Sequence, residues 1–166
     1  MKNFTFLSTV LLCFASCTNV TFVSPQPEFL EPLTEIPEKY QGSFVFVEAS
    51  DDVNIITATT VNGISIFSDS VVVKSRGNYF YVNLLADKGN YELYVFKHIS
   101  CLNYERIYAI FPNLDKDKVH LFNAIEDWNC NNGKHCYLLD EVSVNQFNLL
   151  VNSSFDDEKV KLKRLK

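Results

Sequence analysis

Residues 43–123 are cut into short runs of β-branched and aromatic residues by turn-forming residues, and this punctuation most limits what the chain can fold into. Eight runs stand out: 43–48, 55–61, 64–67, 71–76, 79–85, 91–99, 104–111 and 118–123. Asn62-Gly63 suits a two-residue hairpin, because both positions tolerate positive φ. Gly77-Asn78 and Asp87-Lys88-Gly89-Asn90 mark further turns, and Pro112 ends its run because it cannot donate to a ladder. Connections this short join antiparallel neighbours, so the spacing predicts a mainly β domain, an antiparallel meander or barrel of about eight strands.

A sheet with one wet face alternates apolar and polar residues. Val71-Val72-Val73, Tyr79-Phe80-Tyr81-Val82 and Leu93-Tyr94-Val95-Phe96 do not. One face of these strands can point into an interior; the other must be covered by a helix, an N-terminal arm or a partner. Aromatic residues make up 14% of the chain and are concentrated in these runs, which is more than a core of this size obviously needs. A transmembrane barrel is disfavoured, since its strands need about 9–11 residues each.

Past residue 140 the pattern changes. Val142-Ser143-Val144-Asn145-Gln146-Phe147 carries a helix start: Ser143 as N-cap, Gln146 completing a capping box, Val142 and Phe147 forming a hydrophobic staple. The helix is expected over residues 144–152, burying Phe147, Leu150 and Val151. The end, residues 159–166, alternates basic and apolar residues and reads as an edge strand guarded by lysines or as a frayed tail, with a membrane-surface contact as the sharper alternative.

Four of the five prolines fall in residues 18–37 (Pro25, Pro27, Pro32 and Pro37), which predicts an extended, semi-rigid tether. An arm packed across the domain is the alternative, with Phe22, Phe29, Leu30 and Leu33 available to bury. A chain of 166 residues holds one such domain, and a net charge of −5 argues against nucleic-acid binding.

The amino terminus reads as an address. Lys2 precedes an apolar run over residues 4–14, too short to span a bilayer but suited to a secretory signal. Phe14-Ala15-Ser16-Cys17 resembles the bacterial lipobox, with Phe14 where leucine is usual. The resemblance implies a signal peptide over residues 1–16, lipidation at Cys17, a lipid-anchored tether over 17–37 and a β-rich domain over 38–166. It places the protein in the bacterial cell envelope. No acidic cluster follows Cys17, which favours the periplasmic face of the outer membrane. An ordinary secretory signal cleaved nearby is the alternative.

Two wider resemblances follow. The lipobox, the Pro-containing tether, Ser68-Asp69-Ser70-Val71-Val72-Val73-Lys74, the Tyr/Phe-rich run at 79–85 and the basic end Leu162-Lys163-Arg164-Leu165-Lys166 are similar to small bacterial lipoproteins of uncharacterised function. That likeness bears on architecture and location. Tyr40-Gln41-Gly42-Ser43-Phe44 resembles the start of a lipocalin, with Phe44 in place of the signature tryptophan. A lipocalin-like barrel would enclose a small apolar ligand.

The thiols left outside Cys17 are Cys101, Cys130 and Cys136 once the leader is removed. Outside the cytoplasm disulfides persist, and Cys130 and Cys136 bracket a short loop, so that pairing is expected, with Cys101 free and buried. Pairing of Cys101 with either of the others is the competitor. His98, Cys101, Cys130, His135 and Cys136 could in principle ligate zinc, but the spacing is loose and oxidation competes. No metal or cofactor is expected. No nucleophile elbow, phosphate loop or His-Glu-x-x-His occurs, so no catalytic activity is expected.

Two functions remain: an envelope interaction module displaying aromatic surface to another protein, and a carrier of a small apolar ligand. The placement of Phe44, Phe46, Phe80, Tyr94 and Phe96 separates them. Rings lining a void favour the carrier; a filled interior beneath an exposed apolar patch favours the module.

Overall fold

The computed structural model describes residues 20–47, 53–86, 89–101, 104–127, 136–157 and 159–165. The leader, Cys17 and Cys130 lie outside the described residues. Among the described residues the chain is mainly β, a single sheet of twelve strands with one helix, and the sheet does not close into a barrel.

The strands are β1 (Val20–Phe22), β2 (Gly42–Phe46), β3 (Val53–Ile56), β4 (Thr60–Val61), β5 (Ile64–Ser65), β6 (Val71–Arg76), β7 (Tyr79–Leu85), β8 (Tyr91–Cys101), β9 (Tyr104–Ile110), β10 (Ala124–Asp127), β11 (Cys136–Leu139) and β12 (Lys159–Arg164). The helix α1 spans Val144–Asp157 between β11 and β12. The order across the sheet is β10-β11-β1-β8-β9-β12-β2-β3-β4-β5, with β7 and then β6 branching from β8.

The length of β8 makes the branch possible. A strand has two edges, and eleven residues can serve more than one neighbour on the same edge. Residues 91–97 pair with β7; on the other edge Tyr91 meets Phe22 of β1 and residues 95–101 pair with β9.

Local chemistry explains the hairpins. Val61 pairs with Ile64 around Asn62 (φ 52°) and Gly63 (φ 78°), the positive pair that a type I′ loop requires. Residues 71–76 and 79–85 form a ladder around Gly77, whose φ is 57°. At the helix, the Ser143 N–H donates to Gln146 Oε1 at 2.9 Å and the Gln146 N–H donates to Ser143 Oγ at 3.3 Å, so the capping box is formed. Val142 and Phe147 are buried in one cluster. The helix continues one and a half turns beyond its expected end, carrying Ser154 into hydrogen bonds with the Asn113 backbone.

Other expectations need correction. A simple meander does not describe the sheet, because β1 pairs parallel to β11 and β12 lies between β9 and β2. The C-terminal strand is therefore an interior strand rather than an edge or a frayed tail. Residues 118–123 form no strand: Val119–Leu121 is a single 3-10 turn, and the strand begins at Ala124. Its alternation is of strand type, but no neighbouring ladder takes it up.

The tether is the largest correction, since from Val20 onward the segment is part of the domain. Val20 and Phe22 are buried in β1. Prolines leave carbonyls without adjacent donors, and two buried side chains supply them. Lys74 Nζ donates to the carbonyls of Pro25 and Pro27, each at 2.9 Å. Asn83 Oδ1 accepts from the Gln26 N–H at 2.7 Å, and Asn83 Nδ2 donates to the Gln26 carbonyl at 2.8 Å. The arm then crosses the free edge of β6, where the Leu33 N–H donates to the Val73 carbonyl at 2.8 Å, and the Ile36 N–H donates to the Ala58 carbonyl at 2.7 Å. It thus bridges from β6 to the β3–β4 connection, where the strand ladder is interrupted.

Candidate ligand cavity

The two apolar faces of the central strands serve two cores. Tyr81, Leu93, Val95 and Ile110 join Val20, Phe22, Phe147, Leu150 and Val151 beneath α1. Phe80, Tyr94, Ile107, Ala109 and Leu162 belong to the opposite face, with Phe44, Ile66, Val73 and Phe111. Successive strand residues point to opposite sides, so Tyr79-Phe80-Tyr81-Val82 divides cleanly between them.

The second core is not filled. It borders a partly open cavity of about 130 Å³. β7 contributes Phe80, Val82 and Leu84; β8 contributes Tyr94 and Phe96; β9 contributes Ile107 and Ala109. Leu162, Phe46, Asn54, Ile56, Val61, Ile66, Val71 and Phe111 continue the wall, and the N-terminal arm adds Ile36 and Tyr40.

The polar groups of the wall are turned to protein partners. Tyr40 Oη donates to the Asn78 carbonyl at 2.7 Å, Tyr94 Oη to Glu92 Oε2 at 3.1 Å, and Asn54 Oδ1 accepts from Asn62 Nδ2 at 3.0 Å. Burial raises the Tyr40 and Tyr94 hydroxyls well above the ordinary phenol range. The cavity therefore presents hydrocarbon and ring surface, with little to hold water. A closed apolar cavity of about 150 Å³ takes up benzene or xenon, and the wall here offers the same kind of surface to a ligand.

Of the five rings singled out from sequence, Phe46, Phe80, Tyr94 and Phe96 line the cavity. Phe44 is 1% exposed in the same core but off the wall, with the Arg164 guanidinium 5.1 Å from its ring centroid. Sequence inspection missed the aliphatic half of the wall. Strand parity with Phe80 would have found Val82 and Leu84; Ile36 and Ala109 carry no comparable local signal.

At one end of this core His98 Nε2 lies 2.8 Å from Glu105 Oε1, and Arg164 Nη2 lies 3.1 Å from the same oxygen. Arg164 Nη2 also donates to the Lys39 carbonyl at 2.6 Å. The cluster ties the ends of β8, β9 and β12 to the turn before β2. Among the described residues no group of three or more His, Cys, Asp or Glu side chains is placed to hold a metal ion. Cys101 is free, as expected, but exposed at the end of β8 rather than buried. Cys136 is not a free thiol. Its expected partner, Cys130, lies outside the described residues. No described helix is long and apolar enough to cross a membrane. Compared with protein-family models, with curated proteins and with solved structures, the chain matches none.

Proposed function

We propose that this protein is a lipid-anchored bacterial envelope lipoprotein whose β domain, though not a closed barrel, binds a small apolar ligand as a lipocalin-like carrier does. The observation that carries this reading is the 130 Å³ cavity with an apolar wall. Its tyrosine and asparagine groups are already hydrogen-bonded, so a ligand gains by filling hydrocarbon surface and needs no polar group of its own. The size suits a single ring or a short alkyl segment. Lipidation at Cys17 and a Cys130–Cys136 disulfide belong to the same reading and rest on the sequence.

The interaction module drew its support from aromatic surface. Among the described residues Phe29 is the only exposed aromatic ring, and it lies 5.5 Å from the Arg76 guanidinium. The other described rings are at least half-buried, which favours the carrier.

Benzene or a short alkane titrated into the protein and followed by methyl NMR should give saturable shifts at Val82, Leu84 and Ile36. Ala109→Leu, which places extra volume in the cavity, should abolish those shifts without lowering Tm. Shifts that do not saturate, or that survive Ala109→Leu, would sink the proposal.

A further inference from the structure

Strand register builds a second surface on the side of the sheet away from the cavity. Ile99 of β8, Arg106 of β9, Lys163 of β12, Val45 of β2 and Val53 of β3 are successive ladder partners and form one row on that face. The adjacent row holds Lys97, Tyr108 and Lys161, and the Val47 N–H donates to the Lys161 carbonyl at 2.9 Å. This part of the face is open: Val47, Val53, Ile55 and Leu165 are 44%, 49%, 53% and 38% exposed.

Its charge is one-sided. The described outward side chains of these five strands include Lys97, Arg106, Lys161 and Lys163 and no carboxylate, in a chain of net charge −5. Lys97 is held against the Phe155 and Tyr79 rings at 4.1 and 5.1 Å, and Arg106 has a partner of its own. Lys161 and Lys163 are left to meet something outside, beside four exposed aliphatic side chains.

We infer that this face docks on an anionic lipid surface. Exposed aliphatic side chains enter the boundary between headgroups and acyl chains, and lysines beside them meet the anionic headgroups. β12 is paired along both edges, so its backbone offers nothing to an added strand. Among the described residues the large apolar side chains exposed on this face are all aliphatic, without the Trp or Tyr anchors around which protein interfaces concentrate their energy. The proposal does not depend on the ligand in the cavity.

The test uses the chain from residue 18 onward, which retains every described element but has no lipid anchor. It is sedimented with phosphatidylcholine vesicles and with vesicles containing one part in three of phosphatidylglycerol. Binding is expected to the anionic vesicles alone and to weaken with added salt. Lys161→Gln with Lys163→Gln should weaken it by about 25-fold, about fivefold per lysine. Val53→Ser with Ile55→Ser should weaken it on the same vesicles, with Tm and near-UV dichroism showing that the variant is folded. Absence of binding, equal binding to both vesicle types, or binding indifferent to the lysine changes would overturn the inference. So would a concentration-dependent dimer broken by the same changes, because it would give the face to a second copy.

Discussion

Tyr40, Tyr81 and Tyr94 are 2%, 6% and 3% exposed, and burial disfavours their phenolate forms. The Tyr81 hydroxyl is pushed up to about 12, and those of Tyr40 and Tyr94 are raised further. A pKa raised in the fold favours the protonated, folded state. The contribution is therefore fully present below the unfolded value of about 10 and is lost as pH rises through the folded values. Spectrophotometric titration should show these three phenols ionising only as the protein unfolds. Smooth ionisation of all eight tyrosines near their ordinary value, with dichroism unchanged, would contradict the burial described. At this scale the sequence was informative about side and less so about depth. Phe44 and Phe46 share a face, as alternation requires, yet only Phe46 reaches the cavity. At Phe44 depth depends on Arg164, which the distant β12 brings to 5.1 Å from the ring centroid.

Elements held by their own short-range chemistry were legible. The two strands around Gly77 and the start of α1 carry turn or cap residues at fixed offsets, and their boundaries agree with expectation. β1, β11 and the interior place of β12 were not legible, because three to six residues carry no mark of a partner far away in sequence. Residues 118–123 show the converse, a strand-like alternation without a neighbouring ladder. The helix start gives the cleanest test. Ser143→Ala removes the acceptor for the Gln146 N–H and should cost about 1 kcal/mol in denaturant unfolding. Ser143→Asp, which keeps an acceptor at the helix N-terminus, should restore most of it. Equal losses for both would mean that the cap is not what starts α1.

On the scale of the whole molecule, the N-terminal segment is the piece on which both cores depend. Its four prolines suggested a tether because proline opposes ladder formation. The fold accommodates the first two by giving the Pro25 and Pro27 carbonyls the Lys74 ammonium and by pairing Gln26 with the Asn83 amide. Lys74 contributes at a cost, since burial lowers its pKa against the opposing pull of Glu28 and Glu31. Val20 and Phe22 complete the core under α1, while Ile36 and Tyr40 complete the wall of the cavity. Burying each apolar side chain contributes about 1.5–3 kcal/mol, so Val20, Phe22 and Ile36 together approach the stability of a typical domain. Deleting residues 20–37 would be harmless for a tether; here it should abolish cooperative unfolding and near-UV dichroism. Phe22→Ala, a milder change, should cost about 3–5 kcal/mol. Asn83→Leu should cost about 3 kcal/mol by stranding both backbone groups of Gln26. It should also loosen the arm across the cavity, so that a benzene-sized probe exchanges faster than in the parent. A deletion variant that unfolds cooperatively at the parent's Tm would return the segment to the role of a spacer and leave the cavity without the part of its wall formed by Ile36.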